Sequence, residues 1–172
     1  MFLNYFKDFS TKKIVKNSLS NVKHVASDKI IKTVGIIFDE SYFYEKEALV
    51  SELISNGIAE KDIKILVFKD KVKKNEVFDY PLFTNKDLSW HGTVDKKEVK
   101  DFVNEPLDLL INYYDTEKVA LLLVSHSSKA SFKVGFSTVD KRLNHFMIDT
   151  NAENYKVFIE ELFKYLKILN KI

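Results

Sequence analysis

Short apolar runs separated by helix-patterned segments constrain this chain more than any other feature. Thr33-Val-Gly-Ile-Ile-Phe38 and Ile63–Phe68 are β-branched and continuous, which suits strands covered on both faces. Leu107–Ile111 and Ser131–Phe136 read as further strands, and Leu82-Phe83 and His145–Asp149 as shorter ones. Between them, Phe43–Ser55 places apolar residues at 49, 50, 53 and 54, with Gly57 as a C-terminal cap. Asp95–Val103, ahead of Pro106, and Thr116–Ser125 are two further helical segments. The clearest helix is the last: Tyr155, Phe158, Ile159, Leu162, Tyr165, Leu166 and Leu169 follow i, i+3, i+4, i+7 spacing. Strand, helix and strand over roughly 35 residues match a right-handed βαβ crossover. The alternation predicts an α/β fold: an open, mostly parallel sheet of five or six strands with helices on both faces. Ile36, Leu110, Leu162 and Leu166 are expected in its core.

At 172 residues the chain holds one domain. Fourteen Phe and eight Tyr exclude a disordered chain. The lack of cysteine excludes disulfide frameworks, thiolate nucleophiles and cysteine zinc sites. Val119–Val124, the longest strongly apolar run, is far short of the roughly 20 residues of a membrane-spanning helix. Asn4 and Lys7 interrupt Phe2, Leu3 and Phe6 without a cleavage site behind them, so no signal peptide and a cytoplasmic location are expected.

Charge is unevenly placed. Residues 1–32 carry seven lysines against two aspartates, a net +5, which leaves −3 for the rest of a chain whose total is +2. Residues 1–30 read as a basic, amphipathic helical arm ahead of a single domain at 31–172. Phe2, Phe6 and Phe9 share one helical face, as do Val15, Leu19 and Val22 after a break at Ser10-Thr11. This face is expected to dock on the domain or on a partner. Peripheral membrane contact is disfavoured because Asp8 and uncharged polar residues dilute the lysine face. Nucleic acid is disfavoured by the body's negative balance.

In an open parallel sheet, ligands sit outside the carboxyl ends of the strands. That rule selects Asp39, Glu40 and Ser41 after the first strand, Asn112 after the fourth, Ser137 after the fifth, and Asp149 and Thr150 after the last. Asp39 and Glu40 fit either an acid–base or metal-binding pair or a helix-opening acidic cluster. Ser125-His-Ser-Ser-Lys129 collects hydroxyls with an ammonium, so Ser125 and Lys129 are candidates for holding an anion. The alternative is a polar helix end. In the loop Asn85–Gly92, Trp90 and His91 can stack on a planar ligand while Lys86 meets an anion beside Asp87. The same tryptophan also fits a plug over a core edge. Four glycines, at 35, 57, 92 and 135, spell no phosphate-binding loop. The four histidines never recur at metal-ligand spacing. No metal is expected and no cofactor is assigned.

Two resemblances add to this. Lys32–Glu40, Phe83–Gly92, Leu107–Asn112 and Ser128–Gly135 resemble an uncharacterised family of short Bacteroidota α/β proteins, which brings no activity with it. More distantly, Leu107–Asn112, Ala120–Val124 and Ala130–Phe136 are similar to the N-terminal Rossmann-like domain of heptosyltransferase-type glycosyltransferases. That likeness implies a Rossmann-like sheet. The glycine-rich first loop of such enzymes is replaced here by Asp39-Glu40-Ser41.

With no nucleophile, metal cluster or phosphate loop at specific spacing, the expected function is a non-catalytic module that binds a small anionic ligand or a partner protein. The alternative is a small single-domain transferase or hydrolase that uses the strand-end carboxylates. An enzyme would need Asp39, Asn112 and the Lys86–His91 loop to converge on one pocket.

Overall fold

The computed structural model describes residues 12–13, 16–17, 29–89 and 92–172. Trp90, His91 and the arm's apolar face (Phe2, Phe6, Phe9, Val15, Leu19 and Val22) lie outside them.

Six strands form one sheet: β1 (Val34–Asp39), β2 (Ile63–Phe68), β3 (Leu82–Phe83), β4 (Leu109–Tyr113), β5 (Phe132–Phe136) and β6 (Phe146–Ile148). Their order is β3-β2-β1-β4-β5-β6, and every neighbouring pair is parallel. This is the Rossmann order, with its switch point between β1 and β4. Helices α1 (Lys46–Ser55), α2 (Lys97–Asn104) and α3 (Val119–Ser127) connect β1 to β2, β3 to β4 and β4 to β5, and α4 (Tyr155–Ile168) follows β6. The strand order runs one way from β1 to β3 and the other way afterwards. Right-handed crossovers therefore put α1 on one face and α2 and α3 on the opposite one.

Side chains alternate across β1. Ile36 and Phe38 join Leu49 and Leu53 of α1 and Leu162 and Leu166 of α4. Ile37 joins Phe102 of α2 and Leu121 to Val124 of α3. Ile36, Leu110, Leu162 and Leu166 are all buried. Helix α3 is apolar on every side because the loops carrying Leu88, Val94, Val139 and Leu143 cover what the sheet does not. A Cβ on Gly35 would run into the Leu107 side chain, so that strand needs glycine for α2 and its following turn to come close.

Local chemistry sets the boundaries. Gly57 takes φ +98° and donates its N–H to Ile54 O at 2.9 Å, closing α1 as its glycine predicts. Asp108 Oδ2 accepts from Lys32 N at 3.1 Å, Thr33 N at 3.0 Å and Thr33 Oγ1 at 3.0 Å. That ties the start of the body to the start of β4. Burial works against the Asp108 charge, but these donors outweigh it and lower the pKa below the ordinary value. Two expectations need correcting. Asn112 lies inside β4 rather than after it, because the strand runs on to Tyr113. Helix α3 starts at Val119, not Thr116, after the chain turns over the sheet's carboxyl end.

Candidate functional site

The switch point is built around Lys118, the residue that opens α3. Its ammonium lies 2.7 Å from Asp39 Oδ2 and 2.8 Å from Asp70 Oδ2, with the Asp39 contact outside hydrogen-bond geometry. The rings of Tyr42 and Phe68 stand 4.5 and 5.0 Å from it. Burial disfavours this charge, yet the close carboxylates of Asp39 and Asp70 outweigh it and raise the lysine pKa. Asp39 is 4% exposed, and its Oδ1 accepts from Ser41 N at 3.0 Å. Ser41 Oγ in turn accepts from Asp70 N at 3.0 Å. Asp39 and Ser41 thus close a knot that joins the ends of β1 and β2 to α3.

Glu40 turns elsewhere. Its Oε1 meets Lys46 at 2.9 Å, and Lys69 pairs with Glu76 across a hollow of about 70 Å³. Neighbours in sequence, Asp39 and Glu40 are therefore committed to different lysines.

Asn112 belongs to another network. The Ser125 hydroxyl donates to Asn112 Oδ1 at 2.7 Å. Ser125 has one hydroxyl hydrogen, so the 2.7 Å contact with Tyr114 is the phenol donating to Ser125. Asn112 Nδ2 donates to Asn144 Oδ1 at 2.7 Å. Asn144 Nδ2 lies where a Cβ on Gly135 would come within 2.5 Å of it. Below this chain Lys133 reaches Ser125 O at 2.7 Å and His126 O at 3.3 Å, capping the end of α3. Burial pushes the Lys133 pKa down to about 8. Burial and Lys133 also lower that of His126.

The remaining candidates are spread out. Asp87 Oδ2 accepts from Thr84 N at 2.7 Å and Thr84 Oγ1 at 3.1 Å, a capping box that fixes the turn after β3, while Lys86 is exposed. Lys129 is exposed and donates its backbone N–H to Val103 O at 2.9 Å, toward the amino ends of the strands. Ser137 and Asp149 do meet, hydroxyl to Oδ1 at 2.7 Å, between the ends of β5 and β6. Asp39 and Asn112 share a sheet face but bond to different partners.

Sequence reasoning missed Lys118, Asp70 and Tyr42. Extending the strand-end rule to the first residue of the following helix would have found Lys118, and Tyr42 stands directly after the selected Ser41. The loops beyond β4 and β5 add one more feature. Glu117 Oε2 lies 3.5 Å from both Lys12 and Lys16, and Arg142 Nη1 donates to Lys16 O at 3.2 Å. Arg142 also forks onto Asp140 at 2.6 and 2.9 Å, holding that carboxyl at about 2. Lys12, Lys13, Lys16 and Asn17 are helical.

Among the described residues no helix is long and apolar enough to cross a membrane. The model of a family of unknown function (DUF6913) matches residues 7–169. No curated protein and no solved structure matches the chain.

Proposed function

The chain belongs to the DUF6913 family, whose function is unknown, and we propose that it is a non-catalytic interaction module whose acidic carboxyl edge holds a lysine-bearing protein segment. One observation carries this reading: Glu117 takes two lysines, and Arg142 takes the backbone carbonyl of the second. The edge that serves ligands in such sheets already accepts a basic helical stretch of its own chain. Lys118 is neutralised by Asp39 and Asp70, which favours a cationic partner over a small anion. Asp39 and Glu40, each held by its own lysine, suit a holding role better than acid–base chemistry. Lys12 and Lys16 are then cis occupants with which a partner segment competes, in a cytoplasmic setting.

The test uses the full chain and a synthetic peptide copying residues 7–24. Exposed pairs contribute roughly 0–1 kcal/mol each and are screened by salt, so binding is expected to be weak and salt-sensitive. Lys12→Glu with Lys16→Glu should open the edge and strengthen capture of the peptide, whereas Glu117→Lys should abolish it. A panel of nucleotides, sugar nucleotides and acyl donors should leave the melting temperature unchanged. A Lys118-dependent rise with a phosphate-bearing ligand would instead assign the edge to a small anion.

A further inference from the structure

The sheet has an unfilled position at the amino end of β2. Strand β3 is two residues long and pairs only with Val67 and Phe68. Val67 N donates to Pro81 O at 2.9 Å and Lys69 N to Phe83 O at 3.1 Å, while Phe68 O accepts from Glu40 N on the β1 side. Odd-numbered residues of β2 therefore aim their N–H and C=O away from β1. For Ile65 and for the Ile63 carbonyl that direction is a groove of about 390 Å³, while the Ile63 N–H donates to Glu60 O. The next ladder bond would run from residue 81 to Ile65 O, and Pro81 has no N–H to give. The proline ends the sheet early and leaves a stretch of strand edge facing open space.

The far wall of the groove is acidic. Glu98, Asp101 and Glu105 of the α2 segment line it, all exposed, against Lys64 as the groove's single cation. Asp101 is bridged to Lys97 at 2.5 Å. Glu98, Glu105 and Lys64 have no ion pair among the described residues. Residues three and four apart on a helix are about 5–6 Å apart, close to the roughly 6.6 Å between same-side side chains of an extended strand. An added strand with lysine at every second position would thus place ammonium groups opposite the acidic row as its backbone completes the edge. Pairing of two copies through this edge would bring like charges together, Lys64 against Lys64 and acid row against acid row.

We propose that the β2 edge between Pro81 and α2 is a strand-addition site for an extended, lysine-bearing segment of a partner protein. The probe is a blocked octapeptide alternating Val and Lys, titrated into the full chain. Controls are its Val–Glu counterpart and a version N-methylated at every second residue. The Val–Lys peptide should slow amide exchange at Ile65 by about tenfold or more at saturation. The N-methylated peptide, unable to donate to the edge, should not. Glu98→Lys with Glu105→Lys should weaken binding by about tenfold or more and shift preference to the Val–Glu peptide. The milder Glu98→Gln with Glu105→Gln should move it the same way. Equal binding of the N-methylated peptide, indifference to these changes, or no protection at millimolar peptide would overturn the proposal. So would a dimer of the free chain with the Ile65 amide protected, since that assigns the edge to a second copy.

Discussion

The two faces of the sheet solve different problems. Under α1 and α4 the face is aromatic and apolar. Phe43, Phe136 and Phe158 surround Tyr113 with centroids 4.7, 5.1 and 5.0 Å away, and the Tyr113 hydroxyl at the margin donates to Ala152 O at 2.8 Å. Under α2 and α3 the same strands carry Asp39, Asn112 and Lys133, all buried. The first face needs only shape and apolar area. The second holds Asn112, Ser125 and Lys133 on specific partners and leaves Asn144 Nδ2 without one; a buried donor or acceptor left unpaired costs about 1–3 kcal/mol. A polar face is therefore far less forgiving of change, and it fixes how α3 sits.

Substitutions can break that contrast in turn. Phe158→Ala on the aromatic face should have the largest effect, a loss of about 3–5 kcal/mol in chemical denaturation, through the cavity left among packed rings. On the polar face, Asn112→Ala strands the Ser125 hydroxyl and Asn144 and should cost about 2–3 kcal/mol. Gly135→Ala drives Asn144 out of the same network by contact and should cost about 1–3 kcal/mol. Combined, the two should cost clearly less than their sum, as expected for neighbours in one network; strict additivity would mean that the chain of hydrogen bonds does not act as a unit.

Lys133 sharpens the comparison through pH. Its folded-state pKa, about 8, lies below its ordinary 10.5. Between those values the unfolded chain binds more protons than the folded one, so stability rises with pH across that window. The rise should be on the order of 3 kcal/mol. It should be missing from Lys133→Met when both proteins are unfolded by denaturant from pH 7 to 10.5; an identical slope in the variant would refute the assignment. The smallest effect is expected from Tyr114→Phe, which removes one donor to Ser125 but leaves the Ser125–Asn112 bond. It should cost about 0.5–1.5 kcal/mol.

Much of the architecture is legible from local patterns. The apolar run Ile63–Phe68 coincides with β2, the stripe from Tyr155 is α4, and Gly57 and Pro106 mark helix ends. These signals are local: propensity, periodicity and caps are written over neighbouring residues. The candidate site was legible only in part. Asp39 and Ser41 were found because the end of a parallel strand is predictable once the strand is. Their partners Asp70 and Lys118 lie 31 and 79 positions beyond Asp39 in the chain, and no sequence spacing connects them.

The residues by themselves therefore determined the order of strands and helices, the parallel sheet and its core, because burying short apolar runs on both faces admits few other solutions. Tertiary structure alone decided that Asp39 and Glu40 serve different lysines, and that Asn112, which looked like a strand-end ligand, is a buried link between Ser125 and Asn144. It also decided that Pro81 leaves the edge of β2 open beside an acidic helix. A polar side chain takes its role from its nearest partner, and across a sheet and its crossovers that partner is set by topology rather than by sequence distance.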